Sequence, residues 1–341
     1  MAIEKTFRAY TPDQGKDYAR NRVDYHPDLY ETIIAHHVAT GGELNALVDV
    51  GCGPGNVAAN LSWHFAHTIG LDPSEGMIVT ARNLHANANS NLTSGAGSGS
   101  GSGSVPGADG SKTETQIQTQ SQAKSQRDMR FEVSTAEALG SYLSPPIAPS
   151  SIDLIVAATA AHWFDMPAFW RSAARVLKPS GSVAIWGSAN LRVDASTPNA
   201  AAIQARIEQL EADLQPYFLR GNLLTRGLYK ELELPWMVEP VVEGFDEEAF
   251  WRMDYDSTER FLAVGVSEVD VGALERMMGT MSPVTRWREE HLGKEGTEGD
   301  IVRVFRRDVE RLLREGGMES GKERLRGSAQ GFLLVVKKQS V

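Results

Sequence analysis

Apolar residues recur along the first half of the chain in two alternating periods. Ala46-Leu-Val-Asp-Val50, Thr68-Ile-Gly-Leu-Asp72, Arg130-Phe-Glu-Val133, Ile152–Ala158 and Val183-Ala-Ile-Trp186 are short, nearly continuous apolar runs. Runs of that length suit strands buried on both faces of a sheet. Between them, Leu29–Ala39, Val57–Phe65, Ser74–Leu84 and Pro167–Leu177 carry apolar residues at helical spacing, with Leu61 and Phe65 one turn apart. Ser74 is a natural N-cap for its helix. Strands alternating with helices predict an α/β fold built on a doubly wound, mostly parallel sheet.

Beyond residue 195 the pattern changes. Residues 195–315 read as mostly helical, with breaks at Pro216, Gly221, Pro235 and Pro240. They predict a helical cap, and Gly331-Phe-Leu-Leu-Val-Val336 predicts a last strand closing the sheet. The expected organisation is a helical arm or lid over 1–44, a ligand-binding core over 45–190, a mainly helical cap and substrate region over 191–328, and a final strand and tail over 329–341.

One stretch of the core departs from the pattern. From Ala86 to Arg127 the chain is Asn, Ser, Gly, Thr and Gln around a GSGSGSGS-type centre at Ser98–Ser104, without an aromatic residue. Such a segment buries too little apolar surface to offset its ordering entropy, so it reads as a disordered surface insertion.

Composition narrows the function classes. The chain has 341 residues, 41% hydrophobic and 23% charged, which suits a globular core. Its 34 Lys and Arg against 44 Asp and Glu give a net charge of −10, which argues against nucleic-acid binding. No run approaches 18 apolar residues, so no membrane span is expected. The first residues have no apolar signal-peptide region, and a cytoplasmic setting is expected. The single cysteine, Cys52, forms neither an intramolecular disulfide nor a thiolate cage, and no HExxH-type spacing exists, so no metal site is expected. The charge and cysteine usage are compatible with a monomer or weak dimer. The arginines at 303, 306, 307, 311 and 314 alternate with acids at helical spacing and read as a solvated face.

The chemistry points to Asp49-Val-Gly51-Cys-Gly53-Pro-Gly55, which follows an apolar strand and opens a helix. Glycines there allow a tight turn and close ligand approach, and the helix N-terminus favours a polar or anionic group. Asp72 ends the next strand, 21 residues after Gly51, where an acid accepts hydrogen bonds from ribose hydroxyls. The dinucleotide fingerprint is broken, since Asn56 holds the place of its third glycine, and the P-loop Gly-Lys-Ser/Thr is missing.

The compact GxGxG loop resembles that of class I S-adenosylmethionine-dependent methyltransferases. The likeness continues in Asp72-Pro-Ser-Glu-Gly-Met77, Ser134-Thr-Ala-Glu137, Ser151-Ile-Asp-Leu-Ile-Val156 and Val176-Leu-Lys-Pro-Ser-Gly181. A narrower likeness lies in Tyr18-Ala-Arg-Asn-Arg22 with Tyr25-His-Pro27, in Ala160-Ala-His162-Trp163-Phe164-Asp165, and in Thr280-Met-Ser-Pro-Val-Thr-Arg-Trp287. These resemble the fungal trans-aconitate methyltransferase group, whose members esterify small carboxylic acids. The arm departs from that group in reading Arg20-Asn-Arg22 where Arg-Pro is usual.

The resemblance implies a seven-stranded, Rossmann-like methyltransferase fold and S-adenosylmethionine as cofactor. It implies cofactor contacts at Tyr18, Arg22, Asp49, Gly51, Cys52, Gly53, Gly55, Asp72, Met77, Ala136, Glu137 and Ala157. Cys52 itself reads as a small residue giving room between two glycines, without chemical role. His162 and Trp163 are the expected catalytic positions, and Phe164, Arg286 and Trp287 the substrate contacts. The expected reaction is O-methylation of a carboxylate of a small organic acid. An ionised carboxylate needs a cationic clamp rather than a base. Alternatives are methylation of a secondary metabolite with His162 as base, a non-catalytic cofactor-binding regulator, and a nicotinamide oxidoreductase on the same sheet. The missing third glycine counts against the last.

Overall fold

The computed structural model describes residues 10–22, 24–90, 128–256, 261–262 and 267–340. The predicted insertion over 86–127 falls mostly outside them. Its first five residues continue a helix that runs to Ser90.

The alternation of apolar runs is realised as a single twisted sheet. Strands β1 (Ala46–Val50), β2 (His67–Asp72), β3 (Asp128–Val133), β4 (Ile152–Ala158) and β5 (Leu177–Val193) are mutually parallel. β8 (Arg324–Lys338) runs antiparallel to β5, and β6 (Phe245–Tyr255) antiparallel to β8, in the order β3-β2-β1-β4-β5-β8-β6. A short eighth strand, β7 (Ser267–Asp270), also pairs with β8. The order reverses between β1 and β4, and the crevice at the carboxyl ends of those strands is where open α/β sheets hold ligands.

The fold class is the expected one, with two differences of detail. Among the described residues the sheet has eight strands rather than seven. Two of them, β6 and β7, come from the stretch that reads as mostly helical.

Successive side chains of each strand enter opposite layers, as the period of two requires. Leu154 and Val156 of β4, with Ala184 and Trp186 of β5, pack under α2 (Pro27–Ala39) and α3 (Asn56–Leu61). Ile155, Ala157, Val183 and Ile185 face the other way, onto Phe169, Trp170, Ala173 and Val176 of α5 (Met166–Val176). Asp165 caps α5 by accepting from Ala168 N at 3.0 Å. Along the remaining edge lie α1 (Pro12–Asn21) and α4 (Glu75–Ser90), where Gly15 sits against Thr80 and Gly76.

The cap has its own core. Ile203, Ile207, Leu210 and Leu214 of α6 (Ala200–Leu214) meet Leu274 and Met278 of α8 (Val271–Gly279) and Val302, Phe305, Val309 and Leu313 of α10 (Ile301–Glu315). The short α7 (Arg220–Arg226) and α9 (Ser282–Glu290) complete it. The outer face of α10 carries Arg303, Arg306, Arg307 and Arg311, paired with Glu275, Glu310, Glu298 and Glu315.

Candidate active site

The glycine loop between β1 and α3 lies in that crevice. Gly51, Gly53 and Gly55 have φ of +70°, +52° and +88°, in the left-handed region that favours glycine. Gly51 N and Cys52 N both donate to Leu71 O, at 2.7 and 3.0 Å, which ties the loop to β2. A Cβ at Gly51 would stand 2.6 Å from Ala160, and one at Gly55 2.6 Å from the Phe131 ring. Around Gly53 nothing lies within 4 Å of such an atom, so its backbone is open to a ligand.

Two buried acids support the loop. Asp72 Oδ2 accepts from Gly53 N at 3.0 Å, and Oδ1 accepts from Ser74 N at 2.8 Å. One carboxylate thereby holds both the loop and the start of α4. Asp49, 1% exposed, accepts from Ala58 N at 3.1 Å through Oδ2. Its Oδ1 is buried with no hydrogen-bond partner among the described residues. Burial pushes the Asp49 carboxyl up to about 7 against the pull of the Ala58 N–H, and the neighbouring Asp72 adds to the rise. An exposed glycine backbone beside a buried acid and an orphaned acceptor fits the ribose and amino-acid ends of S-adenosylmethionine.

From the loop a cavity of about 1310 Å³ extends under the cap. Tyr18, Arg22, Gly51, Gly53, Asp72, Met77, Ala136, Glu137, His162, Trp163 and Phe164 all line it. The structure thus brings together residues from four separate motifs. Asp49, Cys52, Gly55, Ala157, Arg286 and Trp287 stand outside its wall. Asp49 is buried near the end of β1, and Gly55 closes the loop as the N-cap of α3. Cys52 packs against Ala58, Ile78, Ala81 and Phe131, and burial holds its thiol well above the ordinary range. Ala157 faces α5 from the middle of the sheet.

Arg286 and Trp287 sit on α9 behind the cavity. The Arg286 guanidinium donates to Tyr217 O at 2.8 Å and Asn222 Oδ1 at 2.6 Å, bracing the segment that leads into α7. Trp287 stacks on His291, with ring centroids 4.1 Å apart. In the structure both serve the cap. Asn222, which Arg286 braces, does line the cavity.

His162 sits in a 3-10 turn, Ala161–Trp163, pressed against α7: a Cβ on Gly221 would stand 2.6 Å from His162 O. Its backbone N–H donates to the Tyr229 hydroxyl at 3.2 Å, and its Nδ1 is hydrogen-bonded to the same oxygen. Burial, helped by the charge of Arg22, pushes the imidazole down to about 3, so it is neutral at physiological pH. Arg22 lies over the Tyr18 ring at 4.9 Å, and its Nε is buried with no hydrogen-bond partner among the described residues.

Two further residues shape the site without a signal in the sequence. Tyr229 is 2% exposed and reaches His162 from 67 residues away with φ +53°. Thr159, at the end of β4, lines the cavity with φ +48°, which is unusual for a β-branched residue. Its N–H donates to Trp186 O at 2.7 Å, and its hydroxyl meets Tyr25 OH at 2.8 Å. Only a partner far along the chain could have betrayed either residue. Among the described residues, no group of three or more His, Cys, Asp or Glu is disposed to hold a metal ion. No described helix is long and apolar enough to cross a membrane.

Known proteins share this architecture. Two methyltransferase domain models match the chain, over residues 47–99 and 91–185. A Dictyostelium discoideum protein named as a methyltransferase is 25% identical over 178 residues, covering 52% of this chain and 48% of its own length. A Saccharomyces cerevisiae protein, named as an S-adenosylmethionine-dependent methyltransferase, is 24% identical over 169 residues, covering 50% and 43%. The Aspergillus candidus methyltransferase cfoB is 37% identical over 82 residues, covering 24% and 26%. The chain thus matches less than half the length of these relatives. A type II methyltransferase structure from Anaeromyxobacter dehalogenans is similar over 94% of this chain and 98% of that one, with TM-score 0.53 and 18% identity, a likeness of fold. The matching domain models liken residues 47–185 to methyltransferase domains, and the solved structure shares the fold.

Proposed function

We propose that the protein transfers a methyl group from S-adenosylmethionine to a carboxylate oxygen of an organic acid, giving a methyl ester. The observation that carries the carboxylate reading is the state of His162. An imidazole pushed down to about 3 is too weak a base to take the proton of a phenol, whose ordinary pKa is near 10. An acceptor that is already ionised at neutral pH requires no base. The resemblance of the Tyr18–Arg22 and Ala160–Asp165 segments to the trans-aconitate methyltransferase group supports the same reading.

Bound S-adenosylmethionine supplies an electrophilic sulfonium methyl with a neutral leaving group. The protein's part is then alignment and exclusion of water. Gly51, Gly53 and Asp72 are assigned to the cofactor's ribose and amino-acid ends, and Met77, Ala136 and Glu137 to the adenine end. Arg22 is assigned to the acceptor side, because its charge acts on His162 and a carboxylate is the natural partner of a guanidinium. Trp163 and Phe164 form the apolar wall beside it. The test is a methyl-transfer screen of mono-, di- and tricarboxylic acids against phenols at pH 7. Turnover on acids supports the reading, and turnover confined to phenols refutes it.

A further inference from the structure

The cavity does not end at the cofactor's cradle. Its far wall is Leu191 on β5, Phe218, Leu224 on α7, Val269 on β7, Met277 on α8, and Met281 between α8 and α9. All six are half-buried, and all line the same cavity as Gly53 and Asp72. Five of them also pack on the cap core. The charged groups at this end include Arg226 and Glu211, which are spent on each other at 2.6 Å. Arg276 is exposed.

The size of the cavity gives this wall its meaning. A pocket for one small ligand occupies ~300–1,000 Å³. At about 1310 Å³, this one has room for the cofactor and for an acceptor with a substantial body. A compact polyanion would leave the apolar wall facing water and, among the described residues there, would find no cation free of a carboxylate partner except the exposed Arg276. Two methionines on that wall suit an aliphatic body, since unbranched thioethers adapt to irregular apolar shapes.

We infer that the acceptor is an amphipathic carboxylic acid. Its apolar body of several carbons sits among Leu191, Phe218, Leu224, Val269, Met277 and Met281, and its carboxylate points to Arg22 and His162. The inference rests on the carboxylate reading above and specifies the substrate class for that site. Small polar di- and tricarboxylates are correspondingly poor substrates.

The test is a chain-length series of straight-chain alkanoates from four to twelve carbons, run beside succinate, a small tricarboxylate, and alkylphenols of matched length. Two quantities are read on the full chain: kcat/KM, and the affinity of each compound titrated into protein saturated with S-adenosylhomocysteine. Both should rise with chain length, by about fourfold per methylene until the compartment is full. Met277→Gln, a change of similar volume at a half-buried site, should flatten that slope, so that the ratio of kcat/KM for the ten-carbon acid over the four-carbon acid falls. Best turnover on succinate or the tricarboxylate, with no gain along the alkanoates, would overturn this inference and leave the carboxylate reading standing. Turnover of alkylphenols alone would overturn the carboxylate reading, and this proposal with it.

Discussion

The imidazole of His162 and the hydroxyl of Tyr229 are locked together. One phenol oxygen bonds Nδ1 and also accepts the backbone N–H of His162 at 3.2 Å. The pair fixes the 3-10 turn at the end of β4 to the segment after α7, and so closes the sheet's crevice with the cap. It also leaves His162 with a single ring nitrogen for the cavity. That arrangement suits a hydrogen-bonding and shaping role better than proton abstraction.

His162→Asn should therefore retain activity within about tenfold, where loss of a general base costs ~10²–10⁴. The pH profile gives an independent reading. With the imidazole pushed down to about 3, His162 does not titrate between pH 5 and 8, and kcat/KM on an acid should show no rise near 6.5. Initial rates of both proteins across that range check the claim. A rise through pH 6.5 that disappears in the variant would restore His162 as a base.

Arg22→Gln should raise KM for the acid roughly tenfold or more, since hydrogen bonds to charged groups contribute about 1.5–3 kcal/mol. Affinity for S-adenosylhomocysteine should change less than the acid's KM does. Steady-state kinetics and calorimetric titration separate the two. The reverse pattern would move Arg22 to the cofactor side.

Asp72→Ala removes the acceptor of both Gly53 N and Ser74 N. It also removes the acceptor assigned to the cofactor's ribose, and hydrogen bonds to a charged group contribute about 1.5–3 kcal/mol, so affinity for S-adenosylhomocysteine should fall on the order of tenfold or more. Circular dichroism would confirm that the variant is folded. Unchanged affinity in a folded variant refutes the proposed cofactor orientation.

Asp49 gives a prediction about stability and pH. Its folded pKa, about 7, lies above the ordinary carboxylate value near 4. The folded state therefore keeps a proton that the unfolded chain releases. Stability from this group is fully present below pH 4, declines by about 1.4 kcal/mol per pH unit between 4 and 7, and is level above 7. Asp49→Asn should lack this decline. Urea midpoints at pH 5 and pH 7 for the two proteins provide the comparison, and parallel shifts would contradict the raised pKa.

Much of the site was legible in the sequence because it is local. The loop from Asp49 to Gly55 and the acid at Asp72 carry their chemistry in spacing alone, and the central strands β1, β2, β4 and β5 are apolar because both their faces are covered. β6 was hidden for the opposite reason. As an edge strand it reads Phe-Asp-Glu-Glu-Ala-Phe-Trp-Arg-Met-Asp-Tyr, with charges on its open face and a register shift between Asp246 and Trp251. β7 is four residues long and mostly polar.

The cap's part of the site was harder to read. Arg286 and Trp287 sit in a motif that suggested substrate contact, yet their partners Tyr217, Asn222 and His291 belong to the cap's own framework. Tyr229 and Thr159 enter the site through long-range partners and unusual backbone angles, which leave no periodic trace.

The central claim is tested most directly by following the methyl group. Methyl-labelled S-adenosylmethionine is incubated with the protein and a panel of carboxylic acids, and the product is treated with mild alkali. An ester releases its label as volatile methanol, which is the predicted result. Label that stays in an alkali-stable product, or no transfer to any acid in protein that binds S-adenosylhomocysteine, would contradict carboxyl methylation.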